Sequence, residues 1–344
     1  MNETSIRKKE HLDLCINEDV AFKSKTTGFE RYDFLHDAIT EVKIDKINFA
    51  GKFLKKKIDY PFLISCMTGG TNESEKINTK LAVVAEKLKI PVGVGSQRQA
   101  LEDNNFEESY KIIRKNAPGV PVLGNIGAAE VVKYKSSQKF QKLVDLIEAD
   151  AMVVHVNPLQ ELIQHEGNPN FRGLLKNISK LVKNLNVPVI IKEVGSGISV
   201  RVTKRLLEAG VFGIDVAGAG GTSWAGVELL RNDVNTENYF WDWGLPTSFC
   251  IKEISKLKNN YKFTIIGSGG INTSIDAAKA FALGADLVAS ARTVLKELDK
   301  NGVDGVIDLI DNWFTDLKKI MYLTGSNSLK QFKKNKIIRK ELLY

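Results

Sequence analysis

Short apolar runs alternate with segments of helical period along most of this 344-residue chain. Pro61-Phe62-Leu63-Ile64-Ser65 precedes a helical pattern over 75–88. Pro91-Val92-Gly93-Val94 precedes one over 105–115, and Val120-Pro121-Val122-Leu123-Gly124 one over 138–147. The run 151–156 leads to 171–185, and Pro188-Val189-Ile190-Ile191-Lys192 to 199–209. Phe212-Gly213-Ile214-Asp215-Val216 enters a long loop before 247–258. Phe263-Thr264-Ile265-Ile266-Gly267 precedes 274–283, and Asp286-Leu287-Val288-Ala289 precedes 303–322. Strand–helix alternation of this kind predicts a parallel sheet. Eight such units in succession predict an α/β fold closed as a (β/α)8 TIM barrel.

Two segments break the pattern. Residues 1–60 form an N-terminal extension, and 218–246 form an insertion after strand six, rich in Gly and Trp. Trp224, Trp241 and Trp243 argue that the insertion is ordered and packs against the barrel. The expected division is an extension over 1–60, a barrel over 61–325 and a basic tail over 326–344.

Composition narrows the class. With 43% hydrophobic and 26% charged residues the chain has ordinary globular balance. The formal charge is +8, with lysines gathered at Lys55-Lys56-Lys57 and from Lys330 to Lys340. Such runs read as solvated surface, and no basic motif is interleaved with aromatics, so no nucleic-acid partner is expected. Cys15, Cys66 and Cys250 are far apart and form no CxxC pair, which argues against a zinc site or disulfide framework. The N-terminus lacks a signal-peptide apolar core and no apolar run approaches a membrane span. The expectation is a soluble cytoplasmic protein without membrane contact.

The candidate chemistry gathers at strand ends. The stretch His155-Val156-Asn157-Pro158-Leu159-Gln160-Glu161 follows a buried strand. Side chains alternate along a strand, so His155 and Asn157 point the same way, and Pro158 ends the pairing. In a barrel the active site lies at the C-terminal ends of the strands. Gly-Ser-Gly-Gly at 267–270 is expected to open the helix after strand seven, and Ala291-Arg292 follow strand eight. These two loops are the usual barrel phosphate site, where glycine backbone and a helix N-terminus hold the anion. Lys192 ends an otherwise apolar strand, where a buried ammonium needs a negative partner. That partner is either Glu193 or an anionic cofactor ring. Asn125, Ser96 and Thr222 are placed to hydrogen-bond the edge of such a ring, which suggests flavin mononucleotide (FMN).

In this order, several motifs together resemble one family. They are Arg7-Lys8-x-x-His11, Met67-Thr68-Gly69-Gly70, Gly95-Ser96-Gln97-Arg98, His155-x-Asn157-x-x-Gln160-Glu161, Lys192-Glu193-x-Gly195, Ala219 to Trp224, Gly267-x-Gly269-Gly270 and Ala291-Arg292. The chain resembles the type 2, flavin-dependent isopentenyl-diphosphate isomerases from residue 7 to 292. The resemblance implies flavin contacts from Met67, Thr68, Gly69, Ser96, Asn125, Lys192 and Thr222. It implies a flavin phosphate on Gly269, Gly270, Ala291 and Arg292. The substrate diphosphate would meet Arg7, Lys8, Ser96, Arg98, His155 and Asn157, with His11 and Trp224 also lining the substrate site. Glu161 would hold Mg²⁺, and Gln160 would lie beside the substrate carbons as the catalytic side chain, the flavin itself being the main acid and base. The resemblance further implies reduced FMN as the active form, NADPH as its reductant, and a homotetramer or homo-octamer. In that reading His155 donates a hydrogen bond to the diphosphate instead of acting as a base.

Two flavin-barrel rivals lack their hallmark residues. A 2-hydroxy-acid oxidase needs a His and Arg pair in the loop after strand six, where this chain has Ala217 to Trp224 with neither. A purine-nucleotide dehydrogenase needs a nucleophilic Cys in that loop, and Cys250 lies too far along. The remaining alternative is a phosphate-binding barrel without catalysis.

Overall fold

The computed structural model describes residues 3–102, 104–134, 136–232, 239–334 and 336–343. Part of the insertion after strand six, 233–238, therefore lies outside the described residues.

Eight parallel strands close into a barrel. In chain order they are β1 (Phe62–Ile64), β2 (Val92–Gly93), β3 (Val122–Gly127), β4 (Ala151–Val156), β5 (Val189–Glu193), β6 (Gly213–Asp215), β7 (Thr264–Gly267) and β8 (Leu287–Ser290). β8 pairs with β1, which closes the ring. The apolar runs are continuous because both faces of each strand are buried. Phe62, Val122, Val154, Ile191 and Val288 face the surrounding helices. Leu63, Leu123, Val153, Ile190, Ile266 and Ala289 fill the barrel interior.

The extension does three things. Its hairpin, Gly51–Phe53 with Lys56–Ile58, sends Phe53 and Ile58 into the interior cluster and plugs one end of the barrel. Its strand Tyr32–Phe34 pairs antiparallel with Ile337–Arg339 of the C-terminal tail. Its first helix, α1 (Glu3–Asn17), lies over the opposite end, where its side chains line the central cavity.

Helix boundaries differ from the sequence reading at informative places. Pro158 starts a short helix, α2 (Pro158–Ile163), because proline suits a first helical turn. The insertion carries α3 (Trp224–Arg231), capped by the Ser223 hydroxyl. The helix after β7, α4 (Ser274–Leu283), begins four residues beyond Gly270, with Thr273 and Asp276 forming a capping box. Gly269 and Gly270 therefore form a turn before that helix and do not open it. The last helix, α5 (Arg292–Leu323), is broken at Gly302, whose φ is 69°. Of the insertion tryptophans, Trp241 is buried and donates to the Ala21 carbonyl at 2.8 Å, whereas Trp243 is half exposed. Trp241 thus ties the insertion to the extension, whereas Trp243 packs on Tyr239 and Phe240 within the insertion. Among the described residues no helix is long and apolar enough to cross a membrane.

Candidate active site

Strand alternation builds the floor of the site. The inward positions that are apolar at Leu63, Val153, Ile190 and Ile266 become polar two residues later, at Ser65, His155, Lys192 and Ser268. Register sets His155 beside Lys192, and Lys192 beside Asp215. Three ionisable side chains thus stand on adjacent strands at one level of a narrow barrel.

Their electrostatics follow from that crowding. Burial, reinforced by Lys192 and Lys8, holds the His155 imidazole down to about 3. Its Nδ1 lies 2.9 Å from Asn125 Oδ1. A neutral ring that donates from Nδ1 presents a bare Nε2 acceptor. In that tautomer His155 donates to an anion from Nε2 only when the ring is protonated. Burial pushes the Asp215 carboxyl up while Lys192 opposes it, and Ser268 Oγ donates to it. Lys192 Nζ reaches the Glu193 carbonyl at 2.6 Å, not its carboxylate. That carboxylate instead accepts the backbone N–H groups of Val194, Gly195 and Ser196. The side-chain pairing of Lys192 with Glu193 is thus not formed, and Asp215 is its nearest carboxylate in strand register.

The α2 segment aims the next group. Asn157 Nδ2 donates to Gln160 Oε1 at 3.0 Å and to Glu161 Oε1 at 3.2 Å. Both amide protons are spent, and Asn157 Oδ1 is buried without a partner. Asn157 is thus an orienter of Gln160 and Glu161 with one free acceptor; as placed, it has no proton left to donate to a diphosphate. Gln160 Nε2 donates to Glu228 Oε1 at 2.8 Å.

Helix α1 roofs the cavity. Lys8 Nζ donates to the carbonyls of Gly69 (2.5 Å) and Ser96 (2.9 Å) and to the Tyr110 hydroxyl (2.9 Å). Burial brings its ammonium down to about 7. All three protons are engaged with the protein, so Lys8 ties the roof to the loops after β1 and β2. His11 Nε2 stands 2.9 Å from Glu228, and its ring meets Trp224 edge-on at 5.1 Å. The Gln164 amide orientation that satisfies both ends directs its oxygen to Arg7 (3.0 Å) and its nitrogen to Glu228 (3.1 Å). Arg98 contacts Glu102 at 2.8 Å and Glu130 at 3.4 Å.

The far wall is backbone. Gly269 and Gly270 have φ of 94° and 69°. A Cβ on Gly270 would lie 2.4 Å from Thr27 Cγ2, so only glycine allows this approach. Among the described residues the N–H groups of Gly269, Gly270 and Ile271 meet no protein acceptor. They stand beside the first turn of α5, whose N–H groups are free by geometry. The Arg292 guanidinium turns away from this cradle and donates to the carbonyls of Cys15 (3.0 Å) and Glu18 (2.6 Å). Arg292 thus offers its N–H to an anion here, while its side chain docks the end of α1.

Every residue for which the resemblance implies a flavin, substrate or metal contact lines one cavity of about 610 Å³. Sequence reasoning missed Glu228, Arg231, Asp215 and Glu130. Two of these carried a signal: Asp215 and Glu228 are lone carboxylates inside apolar runs. Cys15 and Cys66 also line the cavity, but burial pushes their thiols up to about 11 and about 12, away from nucleophilic use.

The sequence profile of the FMN-dependent dehydrogenases matches residues 119–339. An isopentenyl-diphosphate delta-isomerase of Chlorobium phaeobacteroides is 45% identical over 99% of this chain and 97% of its own length. The chain belongs to the FMN-dependent isopentenyl-diphosphate delta-isomerase family. A family member from Nostoc sp. is 41% identical over 96% of this chain and 95% of its own length. Among solved structures, a lactate oxidase of Pediococcus acidilactici has a TM-score of 0.70 at 16% identity, covering 97% of this chain and 94% of the other. A flavocytochrome b2 with bound sulfite has a TM-score of 0.69 at 18% identity, over 98% and 92%. At that identity the likeness is one of fold.

The cavity fits the family's cofactor. A phosphate would accept the unsatisfied N–H groups at 269–271 and at the start of α5. Lys192 offers a cation at the floor, and Asn125, Ser96 and Thr222 line the same space. Divalent metal fits more narrowly. Among the described residues no cluster of three His, Cys, Asp or Glu side chains is found. Mg²⁺ needs only one or two carboxylates with substrate phosphate and water, and Glu161, which lines the cavity, meets that demand.

Proposed function

We propose that this chain interconverts isopentenyl diphosphate and dimethylallyl diphosphate, with reduced FMN and Mg²⁺ and no net redox change. NADPH would serve to reduce the flavin. The observation that carries the reading is identity of 41–45% to isopentenyl-diphosphate delta-isomerases over almost the full length.

The reaction adds a proton at the terminal alkene carbon and removes one from the neighbouring methylene. The double bond moves and the formula is unchanged. Neither carbon is acidic or basic near neutral pH, so side chains alone are poorly matched to the task. Reduced flavin, when bound, supplies electron density and an exchangeable proton at the reacting carbons. The chain's own groups then bind and orient. Lys192 would compensate negative charge on the flavin ring. Glu161 would hold Mg²⁺ against the diphosphate, with Arg7 and Arg98 neutralising the remaining charge. His155 would take up a proton as the diphosphate arrives and donate from Nε2. Gln160, held by Asn157 and Glu228, would border the carbons. Roofing by α1 would exclude water, and binding energy from the remote diphosphate would position the alkene.

The reading extends to a cytoplasmic homotetramer or homo-octamer. Its three free thiols suit a reducing compartment. Anaerobic incubation of the protein with FMN, NADPH, Mg²⁺ and isopentenyl diphosphate tests the whole reading. Dimethylallyl diphosphate is the expected product, and its absence rejects the proposal.

A further inference from the structure

One arginine holds three carboxylates from three separate parts of the chain. Arg231, the last residue of α3, donates from Nε to Glu10 at 2.6 Å. Its Nη1 reaches Glu166 at 3.0 Å and Glu228 at 3.2 Å, and its Nη2 closes a second bond to Glu166. Glu10 lies on the roof helix α1, Glu166 follows α2, and Glu228 is one turn back on α3. The Arg231 side chain is 12% exposed and that of Glu228 is 0% exposed. A planar guanidinium presents five donors in a fixed fork, a geometry that lysine cannot copy.

Glu228 in turn sets the direction of Gln160. An ionised carboxylate only accepts, so it draws the Gln160 NH2 group toward itself. Gln160 Oε1 is then left to receive Asn157 Nδ2. A protonated Glu228 offers a donor and loses that directional rule. A buried carboxylate stays ionised only when paired. The contacts with His11, Gln160 and Arg231 hold the Glu228 carboxyl below its ordinary value against the cost of burial. One of these neighbours, His11, is carried by α1, and Glu10 of α1 also binds a second, Arg231. Docking the roof brings His11 to Glu228 and Glu10 to Arg231.

We propose that Arg231 is a positioning residue that couples docking of α1 to the aim of Gln160. The inference rests on the proposed place of Gln160 beside the substrate carbons. Without Arg231, α1 loses its Glu10 anchor and Glu228 loses one of the contacts that keep it an acceptor.

The test uses the full chain as FMN holoenzyme, with Arg231→Met and Arg231→Lys variants. Two readouts are taken: kcat and KM for isopentenyl diphosphate, and the rate at which a maleimide labels Cys15 on α1, followed by peptide mass. Arg231→Met is expected to lower kcat by about 100-fold, with FMN affinity unchanged within about twofold. Cys15, half-buried on α1 where it lines the cavity, is expected to label about tenfold faster. Arg231→Lys folds with the charge kept but the fork lost, and is expected to lower kcat by about tenfold with faster labelling. Combined with Glu228→Gln, Arg231→Met is expected to add less than about threefold, because both act through one group. Wild-type kcat in Arg231→Lys, fully multiplying effects in the double variant, or unchanged Cys15 labelling would each overturn the proposal. A wild-type enzyme that makes no dimethylallyl diphosphate would instead overturn the proposed reaction, and the labelling rates would still judge the coupling.

Discussion

His155 Nδ1 and Asn125 Oδ1 face each other at 2.9 Å across neighbouring strands of the barrel floor. Burial and nearby cations hold His155 neutral, and donation from Nδ1 leaves Nε2 without a proton, until an anion changes the balance. Burial, Lys192 and Lys8 all disfavour the imidazolium, and the charge of a diphosphate would offset the two cations. His155→Ala should therefore raise KM for the substrate more than it lowers kcat. Steady-state kinetics separate the two, and a loss confined to kcat would refute the role.

The same residue gives a pH dependence of stability. Its folded pKa lies below the ordinary 6.5, near 3. Between those values the unfolded chain binds more protons, so stability falls as pH drops through that window. His155→Gln should flatten the decline between pH 6.5 and pH 4. Urea denaturation of both proteins at several pH values measures it, and parallel curves would count against the assignment.

Glu161 is positioned by Asn157 Nδ2 and the Asn168 N–H, at 3.2 and 2.7 Å. Glu161→Gln keeps the shape and removes the charge that a hard cation needs. Half-maximal activity should shift to higher Mg²⁺. An unaltered metal titration would rule out Glu161 as the ligand.

Lys192 stands between His155 and Asp215. Lys192→Met removes the cation that would compensate a reduced, anionic ring. The midpoint potential of bound flavin should fall by at least about 30 mV, equivalent to ~1.4 kcal/mol for a two-electron couple. Spectroelectrochemistry reads this directly, and an unchanged potential would argue that Lys192 serves only Asp215.

Gly270→Ala places a methyl group against Thr27 and the Gly220 carbonyl in a left-handed backbone position. A loss of roughly 1–3 kcal/mol in stability is expected, together with weaker FMN retention. Thermal unfolding and flavin fluorescence test the two effects separately; tight FMN binding in this variant would show that the cradle tolerates the shift.

The barrel was legible because eight apolar runs, each followed by a helix, admit few arrangements once both faces must be buried. The candidate site was legible for a related reason. Barrel topology carries every strand end to one rim, so residues from 65 to 292 converge there whatever their spacing. Helix details were less so. Pro158 ends a strand and begins a helix equally well, and only packing decided that α2 would carry Gln160 and Glu161 inward. Sequence order likewise put Arg292 beside the phosphate cradle, yet the position of α1 drew its guanidinium to two carbonyls.

By itself the sequence determined the fold class, the strand order and the set of side chains delivered to the barrel mouth. Those follow from alternation, burial and chain connectivity, which are local or topological. The tertiary structure alone decided how those side chains are used. Hydrogen-bond partners set whether an amide points its oxygen or its nitrogen, whether His155 is a donor or an acceptor, and whether Lys8 is free or engaged. Each depends on charges brought from distant segments into low dielectric, where Glu10 and Glu166 meet Arg231 with no sign of it in their spacing.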